Sequence, residues 1–403
     1  MSRFQTAPLL LVVSVSLVSG SPAVAASAFD LRGAVGLEGR GFAEEGGARG
    51  QGSGDVSLKL APELHWSSVD GDTHAVFSPW YRQDSGDRQR THFDLREFAV
   101  EYASAQWEAR LGVRRVFWGV AESNHLVDVI NQTDAIENPD QEDKLGQPML
   151  NLAYVQPWGT LEAFVMPWFR ERTFPGKAGR LRPGLVVDNK LARYESPAAE
   201  HHVDFALRYA YHGDGFDVGL SQFRGTSREP LLEPTRNAAG KPVLAADYRQ
   251  IDQTSLDAQF TLGNWLWKLE ALHRTGMGAG YAALVGGFEY TQVGVFGTAF
   301  DLGWLLELHW DERGKRATSV FNHDAFAGWR LALNDAAGSS VLAGVVTDVS
   351  DGGVFGNIEA ERRFGERWKA ELELRIFAAA GRHDVLQVVD RDTYLGLSLD
   401  RYF

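Results

Sequence analysis

Hydrophobicity in this chain repeats at every second residue, in one segment after another. Trp265, Trp267, Leu269 and Ala271 oppose Lys268, Glu270 and Arg274, and Leu302, Trp304, Leu306, Leu308 and Trp310 oppose Asp301, Glu307, His309 and Asp311. Trp368, Ala370, Leu372, Leu374 and Ile376 oppose Lys369, Glu371, Glu373 and Arg375 in the same way. An amphipathic helix would space its apolar residues by three and four, so these segments read as strands. Eighteen are expected, near 29–40, 55–66, 72–83, 92–102, 107–117, 148–156, 160–170, 201–211, 216–224, 247–262, 265–274, 281–294, 301–311, 321–333, 339–349, 354–363, 367–377 and 392–403. No apolar run of 18 residues follows residue 30, which excludes a helical membrane span.

The connections choose among all-β folds. Long ones fall at 41–54, 118–147, 171–200, 225–246 and 378–391, and short ones at 103–106, Pro157-Trp158-Gly159, 212–215, Gly263-Asn264, 334–338 and 364–366. Between any two of the long ones lies an even number of strands. A soluble sandwich has no reason to keep that phase, whereas a transmembrane barrel has short periplasmic turns and long outer loops. The expected fold is an all-β antiparallel transmembrane barrel over 26–403, with eighteen strands and sixteen as the second choice. Trp265, Trp304, Trp310 and Trp368, at strand ends on the apolar face, fit interfacial girdles; in a soluble barrel they would be core residues.

The N-terminus supports export. Arg3, the apolar stretch Leu9–Val18 and the small residues Ala23-Val24-Ala25 have the order of a cleaved signal peptide, 1–25. Absent cysteine excludes a disulfide scaffold, a thiolate zinc site and a cysteine nucleophile, and suits passage through an oxidising periplasm. A formal charge of -13 argues against non-specific nucleic-acid binding. The expected location is the bacterial outer membrane.

The chain ends on a strand whose Leu395, Leu397, Leu399 and Phe403 share one face. This resembles the C-terminal signal of bacterial outer-membrane barrels, which implies the barrel-assembly machinery and periplasmic chaperones as partners. Arg114-Arg115-Val116-Phe117-Trp118-Gly119, followed by Val127-Asp128-Val129-Ile130-Asn131-Gln132-Thr133-Asp134, is similar to a segment of porin-like outer-membrane barrel proteins of proteobacteria. That resemblance implies a porin-type barrel and no particular substrate.

Residues 118–147 hold seven acids against the single cation Lys144. A connection of this length is normally functional or disordered. Its apolar centre, Leu126, Val127, Val129 and Ile130, favours an ordered segment folded into the lumen as a constriction; the other reading is an exposed acidic loop. Arg110 and Arg114 share the polar face opposite Trp107, Leu111 and Val113, and Arg115, Arg170 and Arg208 are possible companions. Such arginines either pair with Glu on adjacent strands, the reading placed first, or face the acidic segment and set a transverse field. The pore-lining or constriction candidates are Arg110, Arg114, Asp128, Asn131 and Asp134. A Ca²⁺ site among Asp128, Asn131, Asp134 and Asp140 lacks the EF-hand order of ligands, and His201 and His202 would point to opposite faces of a strand. No metal or cofactor is expected.

No Gly-x-Ser-x-Gly elbow, His-Glu-x-x-His or phosphate loop occurs. The expected function is therefore passive uptake of a small hydrophilic solute through a non-enzymatic barrel seated in outer-membrane lipids, with oligomeric state open. The alternatives are a lipid- or lipopolysaccharide-modifying enzyme, with a Ser–His pair on the outer rim, and a non-transporting scaffold or adhesin.

Overall fold

The structure, a computed structural model, describes residues 28–138, 140–350, 352–380 and 385–403; the expected signal peptide lies outside them. Its strands are β1 (Ala28–Phe42), β2 (Gly54–Ser67), β3 (Thr73–Asp84), β4 (His92–Ala103), β5 (Trp107–Arg114), β6 (Gln147–Gln156), β7 (Gly159–Met166), β8 (Arg193–Tyr194), β9 (Asp204–His212), β10 (Phe216–Thr226), β11 (Leu231–Arg236), β12 (Pro242–Tyr248), β13 (Gln250–Leu262), β14 (Trp265–Thr275), β15 (Tyr281–Gln292), β16 (Asp301–Asp311), β17 (Asp324–Ala332), β18 (Ser340–Asp348), β19 (Val354–Phe364), β20 (Trp368–Ala378) and β21 (Tyr394–Tyr402).

All but β8, β11 and β12 form one antiparallel sheet of eighteen strands, in which β21 pairs back onto β1. Closure leaves no exposed sheet edge, the condition a membrane imposes on β-structure. At the seam Leu37 stands opposite Leu399, and the Phe403 amide donates to the Gly33 carbonyl at 3.1 Å. The eighteen barrel strands correspond in order to the eighteen expected from the sequence, so the count is eighteen and not sixteen. Some edges move. β5 stops at Arg114 and β7 at Met166, and β9 starts at Asp204 because Ala199–His201 forms a 3-10 turn.

Connections are mostly short at one rim and long at the other, with exceptions such as the one beside β15, where 293–300 on the short-turn rim is longer than 276–280 on the opposite one. One rim carries tight turns such as 104–106, 157–158 and 263–264; the other carries 115–146, 167–203 and 227–249. On the long-loop side β8, β11 and β12 make a small separate sheet. The sequence reading of 225–246 as a connection misses this hairpin for a physical reason. Val243, Leu244, Ala245 and Ala246 are buried on both faces, so no alternation marks the strand.

The barrel wall is apolar outside and polar inside. Leu111 is 63% exposed and Leu207 62%, while Gln253, Glu270 and Glu307, on the opposite strand face, are buried. Along the short-turn rim aromatic rings touch in series: Trp107 and Tyr154 at 4.5 Å, Trp158 and Tyr209 at 6.2 Å, Phe216 and Phe260 at 6.2 Å, Trp265 and Tyr290 at 4.7 Å. An outer face this apolar is stable only in contact with hydrocarbon, and closed antiparallel barrels with such belts belong to the bacterial outer membrane. The barrel spans that membrane, and both chain ends of the barrel lie at the short-turn rim.

Leu306, at the centre of β16, faces outward opposite Phe288. Leu306→Arg places a charge near mid-membrane and should cost about 2–4 kcal/mol, measured by reversible denaturant unfolding in phospholipid vesicles. The same change at an outward residue beside a turn should cost far less.

Candidate functional site

After Arg114 the chain leaves the wall and returns only at Gln147, where β6 pairs with β5. Between these points it packs against inward-facing residues of many strands. Trp118, Val127, Val129 and Ile130 are buried with Met149, Phe164, Met166, Ala206, Phe223 and Ile251, which are interior side chains of β6, β7, β9, β10 and β13. The segment makes few ladder contacts of its own, so its buried amides need other partners.

Wall charges supply them, with a clear division of sign. Glu270 on β14 accepts the N–H groups of Val120 at 2.6 Å, Ala121 at 2.8 Å and Val127 at 3.1 Å. Glu307 on β16 accepts those of Glu122 at 2.7 Å and Ser123 at 2.9 Å. Carbonyls turn toward arginines: Arg40 donates to Glu137 O, Arg90 to Ile136 O, Arg228 to Ile130 O, Arg96 to Lys144 O and Arg170 to Gly146 O, all between 2.6 and 3.0 Å. Gly119 makes the turn over Glu270 possible. Its φ is +135°, and a Cβ there would lie 2.8 Å from Glu270 Oε1, so the Trp118-Gly119 pair has a local physical cause.

The segment's own acids are also held. Asp134 meets Arg96 at 2.7 Å, Thr173 Oγ1 at 2.7 Å and His92 at 3.4 Å. Burial pushes its carboxyl upward, but His92 and Arg96 outweigh it and hold Asp134 at about 2. Glu137 meets Arg82 at 2.5 Å, Asp140 meets Arg375 at 2.7 Å, Glu122 meets Arg330 at 2.7 Å, and Asp128 meets Lys144 at 3.1 Å. Asn131 is a brace: its Oδ1 accepts the Val116 N–H and its Nδ2 donates to the carbonyls of Arg114 and Leu145, each at 2.8 Å.

Arg110 and Arg114 do not face these acids. Arg110 pairs with Glu101 at 2.9 Å and with Glu108, and both arginines reach Asn151 Oδ1. Arg208 binds Asp257 and Arg170 binds Asp94. The arginines that meet the segment are Arg40, Arg82, Arg90, Arg96, Arg170, Arg172, Arg228, Arg330 and Arg375. Arg40, Arg82, Arg96, Arg330 and Arg375 lie on strands, where parity places them on the polar face, whereas Arg90, Arg170, Arg172 and Arg228 lie in connections that carry no parity, and the partners lie up to 235 positions away. His201 sits edge-on to Trp168 at 4.5 Å and His202 binds Asp204 at 2.9 Å, so the two are engaged separately. Leu395, Leu397, Leu399 and Phe403 all face outward beside the seam.

Two groupings have metal-like ligand spacing, His92-Asp134-Glu137 and Asp140-Glu359-Glu373. In the first, Arg82 and Arg96 already neutralise the two carboxylates; in the second, Arg375 stands among all three carboxylates and occupies the position a cation would take, offsetting one of their three charges. A Ser–His pair exists as well, with Ser123 Oγ 2.9 Å from His309 Nε2. It lies in the interior and not on the lipid face, and the nearby carboxylate, Glu307, accepts from the serine instead of orienting the imidazole as in a hydrolytic triad.

Toward β14–β20 the packing is looser. A cavity of about 530 Å³ lies between the segment, Arg274, Tyr281, His309 and Leu232 of the small sheet. A second, about 410 Å³, runs along β17–β20 and shares His125 and Phe321 with the first.

Comparison with known proteins gives no matching family model and no matching curated protein. Among solved structures the chain is similar to Wzi of Escherichia coli, described as an outer-membrane, carbohydrate-binding β-barrel involved in group 1 capsule assembly. The TM-score is 0.51 at 10% identity, over 93% of this chain and 84% of that one. It is also similar to two mutants of the Rh. blastica porin, at TM-score 0.46 and 13% or 12% identity, over 93% of this chain and 100% of theirs.

Glu270→Ala would orphan three buried N–H groups at about 1–3 kcal/mol each. Amide exchange at Val120, Ala121 and Val127 should accelerate at least tenfold while strand amides keep their protection. A pH effect should accompany this. Burial, with the charges of Glu137 and Asp134, pushes Asp143 up from 3.8 to about 6. A carboxyl raised on folding binds its proton more tightly in the docked state, so the contribution of Asp143 to docking is full below about 4 and is lost as pH rises through about 6, whereas that of Asp134 is lost as pH falls from about 4 to about 2. Proteolysis of the segment at fixed protease activity should rise across the Asp143 window, and Asp143→Asn should reduce the rise, leaving the part due to Asp140, whose carboxyl burial pushes up to about 7.

Proposed function

We propose that the chain is a porin-like channel through which small polar solutes diffuse, the path lying between the 115–146 segment and the wall of β16–β20. One observation carries this reading. The 410 Å³ cavity extends from Asp348 and Gly353 at the long-loop rim to Arg330 and Leu342, each two residues from the short-turn end of its strand. Its lining joins an apolar shelf, Phe326, Phe355 and Phe377, to fixed charges of both signs, Glu122, Arg330 and Glu359. Glu122 and Arg330 pair at 2.7 Å and Glu359 pairs with Arg375 at 2.9 Å, so the lining presents paired charges, which suit dipolar solutes more than one sign of ion. No catalytic step belongs to this reading, because the interior Ser–His pair lacks the polarity of a nucleophile and base.

Purified protein in planar bilayers should give stepwise conductance. Arg330→Gln should shift the reversal potential in a salt gradient toward cation preference, and Glu270→Ala should raise conductance by loosening the segment. Absence of any steps would sink the channel reading.

A second reading draws on the cap. Arg180 joins the β7–β9 connection to Asp392 at 2.6 Å and to the carbonyls of Glu44 and Gly52. A barrel tied shut outside would bind a ligand without passing it, in keeping with the carbohydrate binding described for Wzi; this reading predicts oligosaccharide binding with no conductance. We also propose that Leu395, Leu397, Leu399 and Phe403 form the assembly signal. Deleting Phe403 should reduce the heat-modifiable folded species severalfold in membranes.

A further inference from the structure

The chain has eight lysines. Lys59, Lys144, Lys268 and Lys369 stand beside carboxylates, and Lys315 has a partner as well. Lys177, Lys190 and Lys241 are exposed and have no ion partner among the described residues, and all three line one cavity of about 660 Å³. They reach it from separate places. Lys177 and Lys190 come from the β7–β9 connection and Lys241 from the β11–β12 turn.

The cavity lies at a step in the barrel wall. β4 pairs with β5 only from Phe98 onward, opposite Val113, so its first residues run beyond the end of β5. Phe93, in that overhang, is 65% exposed on the lipid-facing side and lines the cavity together with Phe174 and Val186. Of the two carboxylates that line the cavity, Asp94 is neutralised and Asp188 keeps its charge. Asp94 is held by Arg170 at 2.6 Å and Arg96 at 3.2 Å, and Asp188 accepts the backbone N–H of Lys190. Three ammonium groups, against the single carboxylate of Asp188, therefore border an apolar, outward-facing ring at the long-loop rim, in a chain whose formal charge is -13.

We propose that this cavity binds a phosphorylated lipid of the outer leaflet, its phosphates between Lys177, Lys190 and Lys241 and its acyl chains against Phe93. Ammonium groups on flexible stems suit phosphates as point charges, and basic clusters beside an apolar membrane surface are a general means of headgroup recognition. The proposal is independent of whether the lumen conducts.

The test is native mass spectrometry of the full-length protein in neutral detergent, titrated with diphosphoryl lipid A, with monophosphoryl lipid A, and with inorganic phosphate as competitor. Diphosphoryl lipid A should be retained, and the monophosphoryl form severalfold less. The combined variant Lys177→Ala, Lys190→Ala, Lys241→Ala should weaken retention at least tenfold, and Phe93→Ala should weaken it severalfold. Arg316→Ala, on another outer loop, should leave it unchanged. The three lysines are exposed, so heat-modifiable mobility should confirm that the variant barrel is folded. Equal retention by the triple variant would overturn the site, and competition by inorganic phosphate at the lipid's own concentration would overturn the lipid assignment in favour of a free-anion site.

Discussion

A buried length of chain without a strand partner must find hydrogen bonds for its amides elsewhere, and residues 115–146 impose that condition on the barrel around them. The wall answers with ionised side chains. Glu270 and Glu307 accept N–H groups from one side, and Arg40, Arg90, Arg96, Arg170 and Arg228 donate to carbonyls from the other. Removing a glutamate would leave several buried N–H groups without a partner, and removing an arginine such as Arg228 would leave both a carbonyl and the buried Asp204 carboxylate uncompensated, which costs more than the loss of a neutral hydrogen bond. The polar face of the strands is thus largely a socket for this segment.

That arrangement divides the interior. On the side of β1–β10 the segment's acids meet Arg82, Arg96 and His92, its apolar centre meets Phe164 and Phe223, and little space remains. On the side of β14–β20 it is held through Glu270, Glu307 and the pairs of Arg330 with Glu122 and Arg375 with Asp140, and the larger interior cavities lie there. Bulk charge predicts none of this, because most interior acids and arginines neutralise one another locally. The same holds along the second cavity, where Glu122 pairs with Arg330 and Glu359 with Arg375.

The fold was legible because a membrane barrel writes itself locally: residues such as Leu302, Trp304, Leu306 and Leu308 must all face hydrocarbon, and their neighbours cannot. β12 was illegible for the complementary reason, being covered on both faces. The segment's importance could be read from its length and apolar centre. Its partners could not, since Glu122 meets Lys268 and Arg330 across the barrel and no sequence spacing encodes that meeting. Arg110 and Arg114 illustrate the same limit. Their parity places them on the polar face, and local Glu101 and Glu108 then claim Arg110 before any loop can.

Gly119 shows how a short motif and a distant wall residue constrain each other. The glycine's positive φ turns successive N–H groups toward one point, and Glu270 occupies that point with a single negative charge, much as an anion sits in a backbone nest. A side chain at 119 would collide with the carboxylate, and a neutral side chain at 270 would leave the turn without its anion. The segment's path is therefore set where it first crosses the lumen. Everything beyond, from the Asn131 brace to the return at Gln147, depends on that crossing having been made in this direction.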